Sequence, residues 1–145
     1  MNQPGANKAG PMAERLGIEI VEASAERVVG TMPVEGNTQP YGILNAGATL
    51  ALAETIGSIG AHLHAGPGRG AVGIEISASH HRSAREGLVT GVATPVNLGK
   101  TLAVYQIVVS DQHGARLCTA RLTCIVRDME QLQERRGQSS PVRAR

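Results

Sequence analysis

A chain of 145 residues with a formal net charge of +2 suits one domain around one core, and, the C-terminal end apart, its basic residues are spread out, which argues against a nucleic-acid partner. Phe and Trp are absent and Tyr occurs twice, so the core has to be aliphatic and closely packed. The 18 glycines fall among apolar runs and point to tight turns and close backbone approaches, not to disorder.

Residues 1–13 read as a flexible arm rich in Asn, Gln, Gly and Pro, with room for one helical turn over 11–16. The arm lacks the apolar core of a signal peptide, and no uncharged apolar run composes a membrane span. A cytoplasmic protein with no membrane partner is the default expectation. A short strand should start at Ile18, Ile20 and Val21. A hairpin through 23–25 should lead to a second strand over 26–34.

Residues 35–45 read as a loop, punctuated by Gly36, Asn37, Pro40 and Gly42. Asn45 is a suitable helix cap, because its side-chain oxygen can accept from a free amide of the first turn. From Ala46 the pattern is helical, and Leu52, Ile56, Ile59 and Leu63 form one apolar stripe. Glu54 points away from that stripe, on a face shared with Gly47, Ala51, Ser58 and Ala61. Such a small, neutral face predicts a helix covered on both sides. Gly66, Pro67 and Gly68 end it.

Strand patterns follow. Residues 71–81 alternate, with Val72, Ile74, Ile76 and Ala78 on one face and His80 next in register. Residues 82–86 are turn-like. A strand over 88–96 should end near Pro95, and residues 97–100 make a tight turn. The apolar run 102–109 suits a central strand, a turn occupies 111–114, and residues 115–127 form the last strand. Residues 128–145 read as a polar tail that begins as a frayed helix. Cys118 and Cys124 share one strand, too far apart to bridge each other, and read as buried reduced thiols. No Cys/His spacing suggests a metal. The elements predict an α+β fold: an antiparallel sheet around one long helix, with residues 14–127 as the domain. One chain has nothing left to cover the second helix face, which predicts a homodimer.

Between Gly36 and Gly68 the only charged side chain is Glu54. Burial would raise its pKa and suit it to act as a general base or a nucleophile; alternatively it is a buried carboxylate satisfied by a Ser or by loop amides. The helix start at Asn45-Ala46-Gly47 offers free amides and a positive dipole end, for ordinary capping or for polarising a carbonyl. Glu54 lies about 12 Å along the axis from Ala46. Both can therefore act on one carbonyl only across a dimer with antiparallel helices. His80 by itself reads as a core histidine. His62 and His64 read as solvent-facing, and His81 and His113 as surface and turn residues. Arg82, Arg85 and Lys100 lie in turns that could flank one sheet end, as solvated charge or as contacts for phosphates.

The stretch Gln39-Pro40-Tyr41-Gly42-Ile43-Leu44-Asn45-Ala46-Gly47-Ala48, followed by Leu52-Ala53-Glu54-Thr55-Ile56-Gly57-Ser58, resembles the signature of hotdog-fold acyl-CoA thioesterases. The nearest subgroup includes 4-hydroxybenzoyl-CoA, 1,4-dihydroxy-2-naphthoyl-CoA and enterobactin-proofreading thioesterases. The likeness extends through Val72–Ile76, His80, Arg82–Gly87, Leu98-Gly99 and Arg116–Cys118, and covers roughly residues 14–127. It implies a helix wrapped by a sheet, dimers usually paired into tetramers, and a site at the dimer interface. It implies an acyl-CoA substrate, aromatic or medium in size by analogy with the subgroup, and no cofactor or metal.

By the same resemblance Glu54 is the catalytic carboxylate, Ala46 offers the amide to the thioester carbonyl, and Gln39 and Ser58 are polar groups near the reacting centre. Gly47 and His80 line the pocket, and Arg82, Arg85 and Lys100 are candidates for nucleotide or pantetheine contacts. The usual His-Gly-Gly reads Asn45-Ala46-Gly47 here. Asn can donate to a carbonyl and cap the helix but cannot carry a proton on and off. An acyl-CoA-binding protein with weakened or lost catalysis is therefore the alternative expectation. A hotdog hydratase is disfavoured, since no Asp/His pairing of that type is found.

Overall fold

The computed structural model describes residues 9–137. The parts of the expected arm and tail at 1–8 and 138–145 lie outside the described residues. In chain order the elements are α1 (Pro11–Leu16), β1 (Glu19–Ala23), β2 (Val28–Pro33), α2 (Ala46–Ala65), β3 (Arg69–His80), β4 (Leu88–Leu98), β5 (Leu102–Ser110), β6 (Arg116–Asp128) and α3 (Met129–Gly137). The strands form one antiparallel sheet in the order β1-β2-β4-β5-β6-β3. Helix α2 carries the chain across the sheet face, from β2 near one edge to β3 at the other.

The helix lies close to the sheet because glycines leave room for it. Gly30 and Gly91 oppose each other on β2 and β4. A Cβ at either would come within 2.7–2.8 Å of Ile56. From the helix side, Gly57 meets Leu122 and Gly60 meets the Tyr105 ring. Leu52 and Ile56 are fully buried in this seam, each contributing about 1.5–3 kcal/mol of apolar burial. The core is aliphatic as expected, with Tyr105 the one large ring fully enclosed; its hydroxyl donates to Ala25 O.

Ala13 on α1 is buried. Three expectations need correction. In β3 the pairing with β6 shifts between Gly73 and Glu75. That bulge reverses the alternation. Val72 and Ile74 are 46% and 57% exposed, while Ile76 and Ala78 pack on the core. Strand β4 runs through Pro95 to Leu98, with a shift in its pairing to β5 between Pro95 and Asn97. Its other neighbour, β2, pairs no further than Ala93, and a strand with one free side tolerates a missing N–H donor. Lastly, Leu63 at the helix end is 45% exposed, and the apolar stripe stops at half-buried Ile59.

Candidate active site

The loop before α2 is tied into a compact ring. Asn45 N–H donates to Asn37 O at 2.9 Å, Gln39 N–H to Ile43 O at 2.8 Å, and Gly42 N–H to Gln39 O at 3.0 Å. The Gln39 side-chain oxygen accepts from Tyr41 N–H, so its NH2 is the end left to meet a ligand. Leu44 N–H donates to Ala84 O at 2.8 Å, which joins this ring to the segment after β3.

Asn45 caps α2 as expected. Its Oδ1 accepts from Gly47 N–H at 2.7 Å. Ala48 and Thr49 N–H both donate to Asn45 O, at 3.0 and 3.2 Å. Ala46 N–H is the amide of this turn that none of these bonds uses. Asn45, Ala46 and Gly47 are all exposed. Since Oδ1 serves the cap, Asn45 Nδ2 is its free donor. The helix start thus presents a backbone donor and a side-chain donor at the positive end of a 20-residue helix.

A cavity of about 190 Å³ opens beside this turn, lined by Ala46 and Thr49 with Ile43, Leu44, His80 and Arg82 among its walls. His80 is exposed at the end of β3 and takes its place in this wall, not in the core. A second, more open hollow of about 370 Å³ lies on the other side of the turn, with Asn45, Gly47 and Ala51 facing Met12 and Leu16 of α1. Arg85 is exposed in the same loop as Arg82 but does not line either hollow.

Glu54 is half-buried, roughly two turns further along α2. Ser58 Oγ donates to its Oε1 at 3.3 Å. The carboxylate rests over Gly73 of β3, the strand at the sheet edge. Within one chain Glu54 therefore stands apart from the Ala46 cavity. Lys100 stands further off still. It lies in the β4–β5 turn, where its carbonyl accepts from Arg69 Nη2 at 3.2 Å. In an antiparallel sheet that turn is at the opposite end from His80 and Arg82, so the expectation of one basic cluster at one sheet end is corrected. His64 is also not free: its Nε2 bonds Gly99 O at 2.7 Å and clips the helix end to that turn.

Among the described residues no group of His, Cys, Asp and Glu could hold a metal ion, and no helix is long and apolar enough to cross a membrane.

The fold and this helix start have known counterparts. The family profile of the Thioesterase superfamily matches residues 41–118. The chain belongs to the thioesterase superfamily. It is 44% identical over 122 residues to the proofreading thioesterase EntH of Cronobacter turicensis, covering 83% of this chain and 89% of that one. The crystal structure of thioesterase HI1161 from Haemophilus influenzae superposes with a TM-score of 0.80 at 40% identity, covering 83% of this chain and 85% of that one. A hypothetical thioesterase protein from Streptococcus pneumoniae, solved with coenzyme A, shares the fold with a TM-score of 0.69 at 22% identity, covering 77% and 86%. The chain is a hotdog-fold thioester hydrolase.

Two residues that position the candidate site escaped the sequence reading. Asn37 is buried, and its Nδ2 donates to Leu16 O at 2.7 Å and Pro33 O at 2.8 Å. It pins the pre-helix ring to α1 and β2. Its signal was present, since Asn beside Gly in a loop often bonds backbone, but the partners are remote in sequence. Gly73 carried no local signal at all: the need for a bare Cα there arises from Glu54 on another element.

Proposed function

We propose that this thioesterase hydrolyses an acyl-CoA to the free acid and CoA, at a site assembled from two copies of the chain. The observation that carries the reading is the unused Ala46 N–H in the wall of a cavity at the positive end of α2, with Asn45, whose Nδ2 is free, next to it in the chain. These donors suit the carbonyl oxygen of a thioester and stabilise the oxyanion that forms on attack. Glu54 supplies the attacking group. As a base it takes a proton from water, and the hydroxide adds to the carbonyl carbon; as a nucleophile it forms an anhydride that water then opens. In either route the carbon–sulfur bond breaks, the electron pair leaves on sulfur as CoA thiolate, and the thiolate is protonated.

The edge position of β3 supports a two-chain site. Its outer side has no partner strand among the described residues, and Glu54 rests on its helix-facing side at Gly73. A long open edge invites pairing. A second copy aligned antiparallel along β3 would set the Gly73 end of one strand beside the His80 end of the other. Glu54 of one subunit would then approach the Ala46, His80 and Arg82 cavity of its partner. Pairing of such dimers into tetramers follows from the family resemblance.

Arg82 and Arg85 suit the phosphates of CoA, and a partner's Lys100 could join them; coenzyme A is the ligand of the Streptococcus pneumoniae relative. A cavity of about 190 Å³ with Ile43, Leu44, Ala84 and Leu117 in its walls suits a compact acyl group, aromatic or medium in size. Gln39 and Ser58 stand as polar groups near the reacting centre. The cap made by Asn45 argues against lost catalysis, because the substitution keeps both the helix start and a carbonyl donor.

Thiol release from a panel of aromatic, short and long acyl-CoAs tests the reading, with Glu54→Gln as the decisive variant. Turnover is expected to vanish in Glu54→Gln while the oligomer stays intact. Wild-type turnover in that variant would overturn the assignment.

A further inference from the structure

Glu54 occupies a place that the sheet has been shaped to receive. Gly73 and Cys124 oppose each other on β3 and β6. The irregularity that follows Gly73 turns Ile74 outward and leaves Gly73 facing the helix. A Cβ at Gly73 would overlap Glu54 Oε1 and stand 3.1 Å from Cδ and 3.2 Å from Oε2. No other heavy atom is as near, so the carboxylate itself is what fills the space a side chain would take. Across the rung, Cys124 is fully buried. Ser58, one turn further along α2, donates its hydroxyl to Glu54 Oε1 at 3.3 Å.

We propose that Gly73 is a positioning residue for the Glu54 carboxylate: it supplies a bare seat, and Ser58 donates to the group that rests there. The inference rests on Glu54 being the attacking group. The Ser58 bond leaves one carboxylate oxygen with a fixed donor and the other open to water or substrate.

The geometry separates this role from a merely structural one. Adding a methyl at Gly73 displaces the far end of a flexible side chain, not packed backbone, and alanine is better than glycine inside a strand by roughly 0.5–1 kcal/mol. Stability should therefore hold while the carboxylate moves.

The test is steady-state thiol release on the full chain, with one acyl-CoA that the wild-type enzyme hydrolyses, alongside thermal unfolding. Gly73→Ala should lower kcat roughly 10- to 100-fold, as expected for misplacement by about 1 Å, with KM little changed and no loss of Tm. Shortening the carboxylate should relieve the overlap, so Gly73→Ala with Glu54→Asp should turn over faster than Gly73→Ala alone, although Glu54→Asp alone is slower than wild type. Ser58→Ala should lower kcat several-fold at little-changed KM, because the seated carboxylate loses its donor. Wild-type kcat in Gly73→Ala, or no gain on combining it with Glu54→Asp, overturns the seat. Should Gly73→Ala fail to fold, Ser58→Ala decides: kcat equal to wild type there overturns the positioning of the carboxylate. Glu54→Gln is run in parallel. If it retains wild-type turnover, the reading of Glu54 falls; if it is dead while Gly73→Ala is unaffected, only the positioning inference falls.

Discussion

In the proposed site Asn45 joins two tasks in one side chain, and two substitutions can take them apart. Its Oδ1 caps α2 through Gly47 N–H at 2.7 Å, and its Nδ2 is left as a free donor at the helix start. Asn45→Ala removes both. The lost cap should cost about 1 kcal/mol, and for a domain of this size that lowers Tm by about 3 °C. Asn45→Asp removes the donor alone. Its carboxylate still accepts from Gly47 N–H, and its charge sits favourably at the positive helix end, by about 0.3–1 kcal/mol. Tm should therefore equal or exceed wild type. Catalysis should go the other way. Losing one oxyanion donor costs about 100- to 1000-fold in kcat, and Asp also sets a negative charge beside the developing oxyanion. Asn45→Asp should thus be the more stable and the less active of the two variants. Thermal unfolding and thiol release on the same samples read both quantities. Near-wild-type kcat/KM in Asn45→Asp would refute the donor role, and a Tm as low as that of Asn45→Ala would refute the cap.

Two further outcomes follow from packing and titration. In Gly60→Ala the new Cβ would stand 2.7–3.0 Å from the Tyr105 ring and hydroxyl, and that ring is fully buried and tied to Ala25 O. Helix propensity gains about 1 kcal/mol, but overpacking against a fixed ring costs about 1–3 kcal/mol and strains the hydroxyl bond, so urea unfolding should show a net loss. A variant more stable than wild type would show that the helix has room to lift. Burial, with the Glu26 charge second, pushes the Tyr105 phenol up to about 12 from its usual 10. The folded state thus favours the protonated form, so this stability is whole below pH 10 and is lost as pH rises from 10 through 12, by on the order of 2–3 kcal/mol. Cys124, pushed up to about 11 from 9, acts in the same direction slightly lower in pH. Unfolding followed from pH 8 to 12 should fall less steeply in Tyr105→Phe; identical slopes would remove Tyr105 as a cause.

Much of this thioesterase is written locally. The cap at Asn45, the helix after it, the hairpin turn at 111–114 and the aliphatic core follow from side-chain chemistry and periodicity within a few residues. The isolation of Glu54 among neutral residues marks it out from the sequence alone. What needed the tertiary structure are relations between elements. A bulge inserts one residue and reverses a strand's alternation, so Val72 and Ile74 look like core in sequence and are exposed. Antiparallel pairing sends Lys100 to one end of the sheet and Arg82 to the other, although both lie in polar turns of similar composition. Gly73 reads like any other glycine until Glu54 is seen resting on it. Local pattern determines which elements form and which residue carries the lone charge. Only the packing of α2 on the sheet decides what that charge touches, because contacts between distant segments depend on register and on the space left by small residues, and neither leaves a period in the chain.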